Sequence, residues 1–169
     1  MKIKKKIKLS NLAIILNKDY GAIIILIISF LIFRITYLIR YKKRFNLKEE
    51  LILMFFLIYL FVLAKIVTYS INEYGMNNYI PFKEITRYKI NSNLFIQNIV
   101  GNIILFVPIG MFLKYYLKLN FLYMLIVVII YSFSIESTQL LIGRVFDIDD
   151  IILNVLGAFI GFCYSVLIS

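Results

Sequence analysis

Residues Ile135–Gly161 read IESTQLLIGRVFDIDDIILNVLGAFIG. The stretch closes one apolar run with Glu136 and Gln139 and turns through Arg144, Asp147, Asp149 and Asp150. It then opens a second apolar run containing Asn154, Gly157 and Gly161. Two apolar runs joined by so short a charged turn predict a helical hairpin with both helices in hydrocarbon. Charged and amide groups inside a bilayer are expensive, and they face a bundle interior or a wet cavity where they occur. This end of the hairpin is therefore the candidate site.

The rest of the chain fits the same solvent. Hydrophobic residues make up 62% of the 169 residues, and the mean hydropathy is +0.90. Several apolar runs reach roughly 20 residues, the length that crosses about 30 Å of hydrocarbon. They do not alternate in the way that barrel strands do. The expected fold is all-α, a polytopic transmembrane helical bundle of about five spans.

The net charge of +10 suits topogenic lysines and arginines and attraction to anionic lipid, so no nucleic-acid partner is expected. Histidine is absent and Cys163 is the only cysteine. That excludes a Ser–His or Cys–His relay, an internal disulfide and a cysteine metal cage. Neither a cofactor nor a resident metal is expected.

In order, a basic tail with Lys2, Lys4, Lys5, Lys6, Lys8 and Lys18 lies on lipid and leads into a first span, Tyr20 to Ile39, kept as a membrane segment because no cleavage site follows. Arg34 inside it is expected to snorkel to the headgroups. A basic loop from Arg40 to Glu50 precedes a second span, Leu51 to about Tyr69. A polar connection from Ser70 to about Gln97 carries Asn78-Tyr79-Ile80-Pro81-Phe82. Pro81 disfavours helix at Ile80, so the segment is expected to be a turn or extended, with its aromatics at headgroup level.

The third span, Asn98 to about Tyr116, contains Pro108 and Gly110, which are expected to kink it or free a carbonyl. The fourth is Phe121 to Ile142 and the fifth Ile151 to Ile168. Gly157 and Gly161 form a small-residue pattern that lets another helix approach closely.

The third span starts, the fourth ends and the fifth starts on one side of the membrane. At about 1.5 Å per residue, Asn102, Glu136 and Asn154 all lie roughly 5–10 Å below that interface. They read as one polar pocket beneath a lid of Arg144, Asp147 and Asp150, with Gln139 beside Glu136. Glu136 is expected to be paired, with Arg144 as the candidate partner, or protonated. The lysine and arginine balance does not orient the chain. The N-terminal lysines weigh one way, and without them the Arg40 loop weighs the other.

These motifs carry a resemblance. Asn78-Tyr79-Ile80-Pro81-Phe82, Asn98 with Gly101-Asn102, and Phe106-x-Pro108-x-Gly110 come first. Glu136-x-x-Gln139, Arg144-x-Phe146-Asp147-x-x-Asp150 and Asn154-x-x-Gly157-x-x-x-Gly161 follow. In this order and spacing they resemble the VanZ-like family, named for a teicoplanin-resistance factor of Gram-positive bacteria.

The resemblance implies residues 1–50 as a basic tail plus an extra membrane segment, and residues 51–169 as a four-helix VanZ-like domain. It implies a multi-pass protein of the cell membrane and a role in antibiotic resistance at the cell envelope. By the same analogy the polar pocket faces outward, where a lipid, a cell-wall precursor or a glycopeptide is met. Asn102, Glu136, Gln139, Arg144, Asp147, Asp150 and Asn154 would bind it.

Two alternatives stay open. One is an intramembrane enzyme on a lipid-linked substrate, with Glu136 as acid or base and Asp147, Asp149 and Asp150 as oxygen ligands of a divalent cation. The other is a helper that docks on another membrane protein through Gly157 and Gly161.

Overall fold

A computed structural model describes residues 20–68, 76–90 and 92–168. The basic tail and the start of the polar connection lie outside the described residues. The helices are α1 (Tyr20–Arg40), α2 (Leu47–Thr68), the short α3 (Lys83–Arg87), α4 (Asn93–Tyr115), α5 (Phe121–Leu141) and α6 (Ile148–Ile168). The described residues contain no strand, only an isolated parallel bridge between Asn78 and Asp147. The chain forms two compact units, which divide between residues 69 and 70.

The first unit is the hairpin α1–α2. α1 ends where Lys42 turns left-handed (φ 50°), its N–H donating to the Ile39 carbonyl and the Lys43 N–H to Leu38, the two bonds of a Schellman stop. Asn46 starts α2: its side-chain oxygen accepts from the Lys48 N–H, and its amide donates to Glu49.

Arg34 finds a partner inside the hairpin. Its Nε and Nη2 donate to the two carboxylate oxygens of Glu50, each at 2.7 Å, and both side chains are largely buried. The planar fork matches a carboxylate, so pairing costs less than dragging the guanidinium to water. Arg34→Met alone should destabilise the hairpin by about 2–3 kcal/mol, because it leaves a buried carboxylate unpaired. Adding Glu50→Met should restore most of that loss. Thermal midpoints of the two single variants and the double variant in detergent check it.

Among the described residues four helices are long and apolar enough to cross a membrane: Gly21–Arg40, α4, α5 and α6. α2 has the length, but its first turn carries Lys48, Glu49 and Glu50 and its last turn Lys65. The all-α polytopic bundle is the one expected, and the count of about five spans holds roughly, α2 carrying its charges towards its two ends.

The second unit holds α3 to α6. α4 begins at Asn93 rather than Asn98, with the Ser92 hydroxyl accepting from the Phe95 N–H at 3.1 Å. Its second turn, Ile96–Val100, is a π-turn in which the Gly101 N–H donates to the Ile96 carbonyl. Helix continues through Pro108, which has no N–H to offer the Ile104 carbonyl one turn back.

α6 begins at Ile148, with Asp147 capping it, rather than at Ile151. α5 starts on Asn120, whose side chain accepts from the Tyr123 N–H. Its Ser134, Ser137 and Thr138 hydroxyls donate to carbonyls one turn back, which satisfies them without water.

α4 and α6 run parallel and touch backbone to backbone. A Cβ at Gly110 would overlap the Ala158 carbonyl, one at Gly157 the Ile103 carbonyl and one at Gly161 the Val107 carbonyl. The glycine pair on α6 is therefore used inside the chain, against α4. α5 runs antiparallel to α6, with Phe121 edge-on to Phe159 and Phe162 at one end. The core is Phe106, Ile109 and Leu113 from α4, Met124 and Val128 from α5, and Leu153, Ala158 and Phe162 from α6.

Candidate functional site

The polar end is built by a turn, a bridge and a helix start. After α5, Gly143 adopts φ +84°, a conformation that strains any side chain. Its N–H donates to the Leu140 carbonyl, and the Arg144 N–H folds back on the Gln139 carbonyl at 2.9 Å. This stop places Arg144 beside the last turn of α5.

Residues Phe146 and Asp147 then pair with the connection before α3. The Asn78 N–H donates to Phe146 (2.8 Å), and the Ile148 N–H donates to the Asn78 carbonyl (3.0 Å). The Phe146 N–H donates to the Asn77 side chain, and the Asn78 amide donates to Asp147 Oδ1 at 2.8 Å. Tyr79 stacks on Phe146 with centroids 5.3 Å apart.

Glu136 lies under this bridge, 1% exposed. Its Oε2 accepts the Asp147 backbone N–H at 2.9 Å. The Gln139 amide, oriented as its neighbours require, donates to Glu136 Oε1 at 3.0 Å and accepts from Arg144 Nη1 at 2.9 Å. Glu136, Gln139 and Arg144 thus form one hydrogen-bonded chain from a buried carboxylate to a partly exposed guanidinium. A negative charge where α6 begins also suits the positive end of that helix.

Asp149, also 1% exposed, caps a different helix. Its Oδ1 accepts the Phe82 N–H at 2.5 Å, and its Oδ2 accepts those of Glu84 (2.7 Å) and Ile85 (3.2 Å). These are start-of-helix donors of α3, whose own cap position, Phe82, is left-handed (φ 64°) and offers no side-chain acceptor. A carboxylate from sixty-odd residues away does that work.

The amides expected to share one pocket separate. Asn102 donates to Asp150 Oδ1 at 2.5 Å, joining α4 to α6. Asn154 donates to the fully buried Ser132 hydroxyl at 2.8 Å, joining α6 to α5 one turn below Glu136. Asn154 therefore holds helices together and lies away from the exposed end. In the π-turn of α4, Asn98 Nδ2 is buried without a hydrogen-bond partner; such turns occur often at functional sites.

The three aspartates do not converge as metal ligands would. Asp147 faces Asn78, Asp149 the start of α3 and Asp150 Asn102. Among the described residues no group of three His, Cys, Asp or Glu side chains could hold an ion.

Sequence reasoning underrated Asn78, Asp149 and Ser132. In the sequence Asn78 shows only as part of a motif, and Asp149 only as one more carboxylate of the charged turn. Ser132 gave no signal above the ordinary frequency of serine in an apolar helix.

The VanZ/LLP1 family model matches residues 50–169. The chain belongs to the VanZ/LLP1 family. No curated protein and no solved structure matches the chain. The VanZ/LLP1 match takes in all but the first turn of α2 and every contact described at the polar end. Membership and the apolar helices together make this a multi-pass α-helical membrane protein.

In this VanZ/LLP1 chain Asp147 precedes the spanning part of α6, and its titration has a definite sign. Burial pushes its pKa up, outweighing the Asn78 and Asp149 hydrogen bonds that pull it down. An acid that binds its proton more tightly folded than unfolded contributes stability when protonated. That contribution is present below the unfolded pKa and is lost as pH rises through the raised folded pKa. Asp147→Asn keeps an oxygen for both donors and removes the buried charge. It is expected to hold or raise stability at pH 7 and to flatten this part of the pH profile. Asp147→Ala should cost about 1–2 kcal/mol. Thermal midpoints measured from pH 4 to 8 check all three (a range set by the ordinary aspartate pKa of about 3.9).

Proposed function

We propose that this protein acts at the cell envelope, binding a polar component such as a lipid headgroup or cell-wall precursor through an outward-facing polar end. Through that binding it lowers susceptibility to glycopeptides such as teicoplanin. The single observation that supports this reading is the chain from buried Glu136 through Gln139 to Arg144. A buried carboxylate aims a partly exposed guanidinium, a fork suited to phosphate or carboxylate. Asp150, partly exposed and held by Asn102, offers an acceptor for sugar or peptide donors at the same helix ends.

In this reading Glu136 and Gln139 position Arg144, and Arg144 and Asp150 meet the ligand. The test is expression in a teicoplanin-susceptible Gram-positive host at matched membrane levels. Wild type should protect against teicoplanin, and Glu136→Gln and Arg144→Gln should lose most of that protection. Vancomycin susceptibility run in parallel measures how far the effect is specific. Protection that survives both substitutions would sink the reading.

A further inference from the structure

The segment from Met76 to Ile90 combines two properties that rarely go together. It is held rigidly, and it exposes large apolar side chains. The backbone bridge at Asn78, the Asn78–Asp147 bond and the three N–H donors taken by Asp149 fix it to the start of α6. Yet Met76 is 90% exposed, Tyr79 62%, Ile80 61%, Phe82 58% and Ile90 77%.

Water offers no reason to order a segment with such a surface, and contiguous exposed apolar side chains mark an interaction face. Where that face lies is set by its anchor. The residues it bonds to, Phe146 to Asp149, are those at which the spanning helix α6 begins. The segment therefore sits at the level where hydrocarbon gives way to headgroups.

Its charges choose the occupant. Lys83, Arg87 and Lys89 are all exposed, and Glu84, partly covered, pairs with Arg87 at 3.0 Å. The surplus is positive and lies directly beside the apolar residues. Apolar and aromatic side chains next to lysines and arginines are the composition of an element lying in an anionic lipid interface.

We propose that residues 76–90 form an interfacial anchor. Tyr79, Ile80 and Phe82 insert at the headgroup–acyl boundary, and Lys83, Arg87 and Lys89 contact anionic lipid phosphates. The anchor holds whether or not the polar end binds an envelope component, and it explains why a buried carboxylate is committed to capping so short a helix. Asp149 fixes the angle at which α3 and its basic side chains meet the membrane surface.

The test places nitroxide labels at Ile80→Cys and, separately, Phe82→Cys, each in a Cys163→Ser background. The purified protein is reconstituted in phosphatidylcholine vesicles with and without phosphatidylglycerol. Power-saturation EPR compares collision with oxygen, which partitions into lipid, and with a water-soluble nickel chelate. Both labels should collide severalfold more with oxygen than with nickel. Adding phosphatidylglycerol should deepen them, and the combined variant Lys83→Gln, Arg87→Gln and Lys89→Gln should abolish that added depth. Free access of nickel to both labels would place the segment in water and overturn the proposal. Labels closed to both reagents would mean a protein surface covers it, which overturns it equally. A depth unaffected by phosphatidylglycerol would remove the anionic-lipid contact.

Discussion

Gly157→Leu is expected to abolish the folded bundle, and Gly157→Ala to destabilise it by roughly 3 kcal/mol, the upper end of what overpacking costs. The obstacle is backbone. A Cβ at Gly157 would overlap the Ile103 carbonyl and press on the carbon behind it. A flexible side chain could swing aside at small cost, but a helix carbonyl cannot move without its whole helix. Gly110 and Gly161 make the same approach further along the contact, against Ala158 and Val107.

Parting α4 from α6 at one glycine therefore forfeits close contact along the whole length. It also stretches the Asn102–Asp150 hydrogen bond and the bond from the Ser165 hydroxyl to the Met111 carbonyl. In lipid there is no hydrophobic effect to hold the helices near one another once packing is lost. Gly101→Ala supplies the contrast. Its nearest neighbour, the Ile96 carbonyl, lies 3.7 Å away, so alanine's better helix propensity should leave stability unchanged or raised by up to about 1 kcal/mol. Thermal midpoints by size-exclusion fluorescence in detergent distinguish the pair. Equal midpoints for Gly157→Ala and Gly101→Ala would refute the packing argument.

How legible this was in the sequence depended on the range of each force. The spans were legible because bilayer thickness fixes a length of about 20 apolar residues, and α1, α4, α5 and α6 follow that rule. The small-residue pattern of Gly157 and Gly161 was legible as a close approach, but its partner was not. Nothing local says that Gly110 and the Ile103 carbonyl of the same chain face it. Arg34 shows the same limit: snorkelling is what an isolated helix would do, and only the hairpin brings Glu50 within reach.

At the polar end the sequence marked Glu136, Gln139 and Arg144 by cost, because charge in hydrocarbon stands out. It did not order them into a chain, since the folding back of Arg144 depends on the left-handed Gly143. The common depth of Asn102, Glu136 and Asn154 follows from helix rise, but helix rotation decides what each meets. Rotation turned Asn154 to Ser132 and Asn102 to Asp150. Asp149 was least legible of all, because its role is written in the missing cap of a helix sixty-odd residues earlier.

That cap carries the second large effect. Asp149→Ala is expected to release residues 76–90 from α6 and to destabilise the second unit by about 3–5 kcal/mol, the cost of breaking a buried charged network by removing one partner. The substitution strands three N–H groups, those of Phe82, Glu84 and Ile85, around a site that is 1% exposed. α3 is only five residues long, too short to persist by its own propensity once uncapped. Phe82 is held left-handed by its bond to the carboxylate, and a bulky residue leaves that conformation readily when the bond is gone.

Release would then spread to the Asn78 bridge, which rests on the same stretch of chain. Asp149→Asn keeps one acceptor oxygen and should retain part of the order, with a loss intermediate between wild type and alanine. Hydrogen exchange reads this directly. In Asp149→Ala the amides of Asn78, Phe82, Glu84 and Ile85 should lose protection by orders of magnitude, while those in the middle of α4 and α6 change far less. Protection lost evenly through α4 and α6 would instead make Asp149 a support of the whole bundle. Protection retained at Phe82 and Glu84 would show that α3 does not depend on this carboxylate at all.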